Sequence, residues 1–359
     1  MSNAVPFIEI NGRRIGEGYP TYIVAELSAN HNQNFQEAVG LIHAAKEAGA
    51  DAVKLQTYTP DTMTINSSQV HFQIAGGLWG GRTLYDLYEE AHTPWEWYPG
   101  LKQVAEEVGI HLFSTPFDFS AVEFLEELEF PAYKIASFEV VDIPLIKRIA
   151  CTGKPLIMST GMASLEEIDE AVTTIRDEGN DQLVLLHCVS AYPASPEDMN
   201  LRTTPNLAQT FGVPAGLSDH SLGISAVVGS VALGACLIEK HFTASRSAGG
   251  PDSVFSIEPV ELRQLVESVR TLERALGKVC YEVTQEESKN LIFRRSLFSV
   301  ANIKKGELLT EQNVRSIRPG NGLPPKHIWE ILGRTATRHI PRGTPLSWDL
   351  IGARESDPA

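Results

Sequence analysis

Short apolar or β-branched runs recur along the chain, and each gives way to a stretch whose apolar positions return at helical i, i+3, i+4 spacing. The runs at 22–27, 52–56, 110–114, 132–136, 155–159, 183–188, 213–217 and 235–240 predict strands. Amphipathic stretches at 36–48, 164–177 and 258–275 predict helices, and Ser164 followed by Glu167 predicts a capping box. Most strand-to-strand intervals are about 20 to 30 residues, the size of a βα unit. Eight such units predict an α/β chain folded as a (β/α)8 TIM barrel. A doubly wound open sheet would want a GxGxxG turn after a strand, and none is present.

Two departures from the repeat matter. The interval after the second strand is about twice the usual length. It carries residues 57–97, with Gly76-Gly77-Leu78-Trp79-Gly80-Gly81, and so reads as a lid or binding loop. Before the barrel, Asn11-Gly12 between apolar runs predicts a hairpin over 7–16. After Gly277 the texture changes. Residues 1–279 read as the barrel domain, 280–291 as a linker and 292–352 as a small β-rich domain. In the last, short runs are broken by Lys305-Gly306, Asn321-Gly322, Pro324-Pro325 and Arg342-Gly343.

Composition narrows the partners. The 359 residues are 43% hydrophobic and 21% charged, ordinary for a globular chain with a large core. A formal charge of −15 argues against nucleic-acid binding, which needs a basic surface. It does not argue against a small anion, since charges beyond about 8 Å are largely screened at physiological salt. Cys151, Cys188, Cys236 and Cys280 lie far apart with no CxxC pair and read as reduced thiols, which suits the cytoplasm. No apolar run is long enough to span a membrane and no charged-then-apolar leader opens the sequence, so neither spanning nor secretion is expected.

Chemistry in such a barrel gathers at the C-terminal ends of the strands. Nearly every predicted strand ends there in polar residues: Glu26; Lys54 and Gln56; Ser114 and Thr115; Lys134, Ser137 and Glu139; Ser159 and Thr160; Ser190 and Tyr192; Ser218, Asp219 and His220; Glu239 and His241. Two lysines with several hydroxyls at one mouth suit a phosphate or a carboxylate. His220 and His241 fall on neighbouring strands beside Asp219 and Glu239, which suits an open divalent site of the Mn2+ or Mg2+ kind. The histidines at 43, 71, 92, 111, 187, 327 and 339 lack such company, and Cys188 reads as a packing thiol.

The motifs AELSANHNQ (25–33), VKLQT (53–57), FSTPFD (113–118), PAYKIASFE (131–139), KPLIMSTGMA (154–163), GLSDHS (216–221), EKHFT (239–243), GGPD (249–252) and IRPGNG (317–322) together resemble the nonulosonic (sialic-acid-type) acid synthases over about 18–352. Within that family the chain is most similar to the branch that makes pseudaminic acid, on Leu27-Ser28-Ala29-Asn30-His31-Asn32-Gln33 and on the run at 76–97. The resemblance implies a C-terminal antifreeze-like (SAF) domain and a homodimer in which that domain reaches the partner's barrel. It implies condensation of phosphoenolpyruvate with an open-chain N-acetylated amino sugar, 2,4-diacetamido-2,4,6-trideoxy-altropyranose, by C–O cleavage. Lys54, Thr115, Lys134, Ser137, Ser159, Ser190 and Ser218 match positions that bind phosphoenolpyruvate. The resemblance further implies Gln56, Tyr192, Glu239 and Asp252 as substrate-binding residues. It implies His220 and His241 as metal ligands, Mn2+ favoured over Mg2+ or Co2+, and Arg318 as a contact to the sugar's N-acetyl group across the dimer; Glu26 and Glu139 are expected to move protons. Leu78 and Trp79 are expected to cover the 6-deoxy sugar. Other readings stay open: an N-acetylneuraminate or legionaminate synthase, a Schiff-base aldolase using Lys54 or Lys134, or a non-catalytic carbohydrate- or ice-binding module.

Overall fold

The computed structural model describes residues 6–354. The chain divides into two compact units, one ending at Gly277 and the other beginning at Lys278. In the first, β1 (Phe7–Ile10) and β2 (Arg13–Gly16) form the hairpin turned by Asn11-Gly12. Eight parallel strands follow: β3 (Tyr22–Glu26), β4 (Ala52–Thr57), β5 (His111–Pro116), β6 (Tyr133–Ile135), β7 (Leu156–Ser159), β8 (Leu183–Cys188), β9 (Ala215–Asp219) and β10 (Leu237–His241). They close as a barrel, with β10 beside β3.

Period-two alternation divides most of the barrel strands between two cores. Ile23, Ala25, Val53, Leu55, Leu112 and Ile238 face the surrounding helices. Tyr22, Val24, Ala52, Phe113, Ile157, Val184 and Leu237 pack instead in a separate apolar cluster with Ile8, Ile10 and Ile15 of the hairpin. The hairpin therefore plugs the N-terminal end of the barrel with apolar side chains. The same alternation carries Glu26, Lys54, Thr115, Glu239 and His241 to the inner face at the C-terminal end. Register sets their level: Glu26 lies opposite both Lys54 and His241, Gln56 opposite Thr115, and Glu239 opposite Ser218.

Helix ends are specified locally. Ser164 and Glu167 form the reciprocal cap of helix Leu165–Asp177, and Gly49 takes φ 94° to end helix Phe35–Ala48. The long interval after β4 is structured rather than open coil, with helices Pro60–Met63 and Leu84–Ala91 and a bridge between Gln73 and Thr83. Among the described residues, no helix is long and apolar enough to cross a membrane.

The second unit pairs β11 (Ser296–Ser299) with β12 (Val314–Ile317), and β13 (Arg334–Ala336) with β14 (Ile351–Arg354), both antiparallel. Leu297, Ile303, Leu309, Val314, Ile331 and Ile340 supply its own core. One turn of helix, Gln285–Ser288, interrupts the stretch expected to be linker.

Candidate active site

A cavity of about 860 Å³ opens at the C-terminal end of the barrel. Lys54 and Gln56 of β4, Lys134 of β6, Ser159 of β7, Ser218 of β9 and Glu239 and His241 of β10 wall it, with Ser137, Glu139, Tyr192, His220 and Asp252 from the loops. Three expected residues stand behind that wall. Glu26 is fully buried, its carboxylate bound to Lys54 Nζ at 2.6 Å and receiving the Ser28 amide and the Gln56 side chain. Thr115 Oγ1 lies 3.4 Å from Lys54 Nζ. Ser190 sits with Ser137 against Gly161, where an added Cβ would strike both hydroxyls. The Gly161 amide donates to Ser137 Oγ at 3.1 Å, leaving the Ser137 proton free to serve an anion. Arg318 is an exposed residue of the second unit, following β12.

Charge at the floor is arranged around Glu239. Its Oε1 takes Lys134 Nζ at 3.1 Å, Lys54 Nζ at 3.2 Å and the Ser218 hydroxyl at 3.1 Å. Burial alone would raise this carboxyl, but the two ammonium groups outweigh it and hold it well below the ordinary range. Burial also pulls the Lys54 ammonium down to about 7, Glu239 opposing the shift. Glu139 has no such partner close by. Burial pushes its carboxyl up to about 7, Lys134 only partly offsetting it.

Several buried polar atoms on this wall have no partner: Glu139 Oε2, Ser159 Oγ, Glu239 Oε2 and His241 Nδ1. Native proteins leave few buried polar groups unsatisfied, so four on one cavity wall mark a place built to receive a polar ligand.

The two imidazoles stand as their strands require, ring centroids 5.3 Å apart. His220 Nδ1 lies 2.9 Å from the Val189 carbonyl, which can only accept, so Nδ1 carries a proton and Nε2 is the nitrogen left to bind a cation. His241 Nδ1 has no hydrogen-bond partner, Asp252 Oδ2 standing 4.0 Å away, and burial holds the ring neutral, well below its ordinary range. Two imidazoles beside a cavity fit a divalent cation, whose binding would require both in the neutral form. Among the described residues no group of three or more His, Cys, Asp or Glu side chains converges on such a point. The chain thus offers two ligands there, and substrate oxygen and water would complete the shell.

Some expectations need correction. Asp219 does not accompany the histidines. Alternation sends it to the helix side, where Lys240 Nζ holds it at 2.6 Å and it caps the Ser221 amide. Leu78 is exposed and does not line the cavity, whereas Trp79 does, its Nε1 donating to the Pro251 carbonyl at 2.9 Å. Cys188 is more than packing. Its thiol lines the cavity 3.8 Å from His220 Nδ1. Burial would raise that thiol, but His220 lowers it further, and Cys188 in turn lifts His220 against its own burial. Other wall residues escaped sequence reasoning, notably Ser28, Tyr58, Tyr88 and Phe255. Ser28 lies two positions beyond Glu26, where continued alternation could have revealed it. The three aromatics carried no strand-spacing signal, because the segments between strands deliver them, Tyr88 from helix Leu84–Ala91.

Comparison with known proteins gives the family. Pseudaminic acid synthase of Campylobacter jejuni subsp. jejuni serotype O:23/36 (strain 81-176) is 47% identical over 325 residues, covering 90% of this chain and 95% of its own length. That of Helicobacter pylori (strain ATCC 700392 / 26695) is 46% identical, covering 92% of this chain and 98% of its own. A crystal structure of N-acetylneuraminic acid (sialic acid) synthetase from Leptospira borgpetersenii serovar Hardjo-bovis, in complex with citrate, superposes with a TM-score of 0.72. It is 31% identical and covers 81% of this chain and 97% of its own. The SAF domain profile matches residues 294–352 and the NeuB family profile matches residues 41–281. The chain belongs to the NeuB family and carries a SAF domain.

Proposed function

We propose that this chain condenses phosphoenolpyruvate with 2,4-diacetamido-2,4,6-trideoxy-altropyranose to give pseudaminic acid and phosphate. The observation that carries the reading is the mouth itself, where two buried lysines, hydroxyl and carboxyl oxygens without hydrogen-bond partners and two imidazoles converge. The similarity to pseudaminic acid synthases selects the sugar.

The residues divide the work by charge. Lys54 and Lys134, with Ser137, Ser159 and Ser218, receive the phosphorylated enol, a small polyanion that suits buried ammonium groups. Holding it beside the open-chain sugar removes much of the entropic barrier to a bimolecular step. The enol carbon then bonds to the C1 aldehyde carbon, water adds at the phosphate-bearing carbon, and that carbon's bond to the bridging oxygen breaks as phosphate leaves. The aldehyde oxygen must gain a proton and the water must lose its protons. Glu139, poised near neutrality at the cavity wall, exchanges these protons. Glu26 acts from behind the wall, fixing Lys54 and Gln56. A divalent ion, Mn2+ for preference, would be held by His220 and His241 and would polarise the aldehyde oxygen when bound.

The apolar half of the cavity supports the deoxy sugar. Met63, Ile74, Leu84, Leu87 and Trp79 from the segment after β4 line it, a wall suited to methyl and acyl groups rather than hydroxymethyl. We further propose a cytoplasmic homodimer in which Arg318 of one protomer serves the other's sugar. Exposed Phe138, Val141, Met162, Leu222 and Val254, all on loops at the barrel mouth, offer the apolar rim for such contact.

Phosphate release from phosphoenolpyruvate, with the diacetamido sugar and with N-acetylmannosamine as competing acceptors, tests the reading. A preference for the diacetamido sugar is expected. Preference for N-acetylmannosamine, or no release with either, would overturn it.

A further inference from the structure

Ser28 stands just beyond the end of β3 with φ 45°, a left-handed conformation disfavoured for any residue that carries a Cβ. Glycine would take that turn without strain. The serine side chain therefore needs a reason, and the contacts supply one. Its hydroxyl donates to Asp252 Oδ2 and accepts from Gln56 Nε2 at 3.2 Å. Its amide N–H turns back onto Glu26 Oε1 at 2.9 Å. Ser28, Gln56 and Asp252 all line the cavity, and Ser28 is only 2% exposed. One buried hydroxyl thus ties a side chain of β4 to a loop carboxylate that lies 224 residues beyond Ser28 in sequence. That loop is fixed by a second link, Asn30 donating to the Phe242 carbonyl and to Ser256 Oγ at 2.9 Å each.

We infer that Ser28 is a positioning residue for the acceptor sugar: its hydroxyl holds Asp252 and Gln56 in the orientations that receive sugar hydroxyls, and the strained turn persists because only a side chain there can do so. The inference rests on the synthase reading. It assigns Ser28 no contact with the phosphorylated enol, whose lysines and serines lie on β4, β6, β7 and β9 and the loop after β6.

The test compares Ser28→Gly with Ser28→Ala in the full chain by thermal melting and by kinetics with both substrates. Both variants lose the hydroxyl, but only glycine sheds the strain, so Ser28→Gly should melt above Ser28→Ala. Both should nevertheless raise the sugar KM alike, about tenfold for a lost charge-assisted hydrogen bond, with the phosphoenolpyruvate KM held within twofold. A serine that merely occupies a turn would give another pattern: Ser28→Gly would keep the wild-type sugar KM, and any loss would follow melting temperature. That result would overturn the inference while leaving the synthase reading intact. A wild-type protein releasing no phosphate with any N-acylated sugar would overturn both. Should Ser28→Ala fail to fold, Ser28→Gly alone decides.

Discussion

Replacing Glu139 by glutamine removes a charge from the cavity wall while keeping shape and hydrogen-bonding capacity. In the native chain, burial holds this carboxyl protonated up to about 7, against an ordinary 4.5. The unfolded chain loses the proton near 4.5, so between the two values the native state binds more protons and stability falls as pH rises. The penalty is absent below about 4.5 and complete above about 7. At 1.36 kcal/mol per pH unit, it amounts to about 3 kcal/mol. Glutamine has no proton to lose, so Glu139→Gln should gain about 3 kcal/mol over the wild type on going from pH 4.5 to pH 8. Urea unfolding of both proteins, free of ligands, measures the gain. Lys54 titrates in the same window in both proteins, so the comparison removes most of its slope. Turnover should move the other way, falling about 100-fold or more if this carboxyl exchanges a proton in the reaction. A stability difference that stays constant across the pH range would show that the carboxyl is not held protonated. Unchanged turnover would remove it from the chemistry.

Other consequences are equally direct. Lys240→Met leaves Asp219 as a buried carboxylate without its ammonium, and should cost about 3–5 kcal/mol in urea unfolding. The double change Lys240→Met with Asp219→Leu should recover most of that loss. Trp79→Ala removes both a cavity wall and the hydrogen bond to Pro251, so the sugar KM should rise several-fold while the phosphoenolpyruvate KM holds; equal effects on both would deny the wall its role. Borohydride added with either substrate should leave the protein mass unchanged, because Lys54 and Lys134 are tied to carboxylates rather than free; a covalent adduct on either lysine would revive the aldolase reading. Arg318→Ala should raise the sugar KM alone, and equal changes in both KM values would exclude a role limited to the sugar.

Period-two alternation made much of the site legible before any coordinates. It places Lys54 and Gln56 on one face of β4 and Glu239 and His241 on one face of β10, and spacing alone closed eight units into a barrel. The same rule should have excluded Asp219, which lies one residue past Ser218 and so points to the helices, where Lys240 meets it. Loops carry no such period. Tyr58 and Phe255 reach the cavity from segments outside the strands, whereas Cys188 ends β8 in step with inward Val184 and Leu186. Trp79 shows the intermediate case. A glycine-flanked tryptophan in an overlong interval marks a covering segment, yet which of Leu78 and Trp79 faces inward depends on the hydrogen bond to Pro251.

Carbon–carbon bond formation at this mouth goes with breaking of the enol's own carbon–oxygen bond. Phosphoenolpyruvate carrying ¹⁸O in the bridging position, supplied with the diacetamido sugar and Mn2+, reports on that bond directly. Mass spectrometry should find the label in the released phosphate and a nine-carbon acid without it. Label retained in the organic product would mean cleavage between phosphorus and oxygen, and would contradict the mechanism assigned to this cavity.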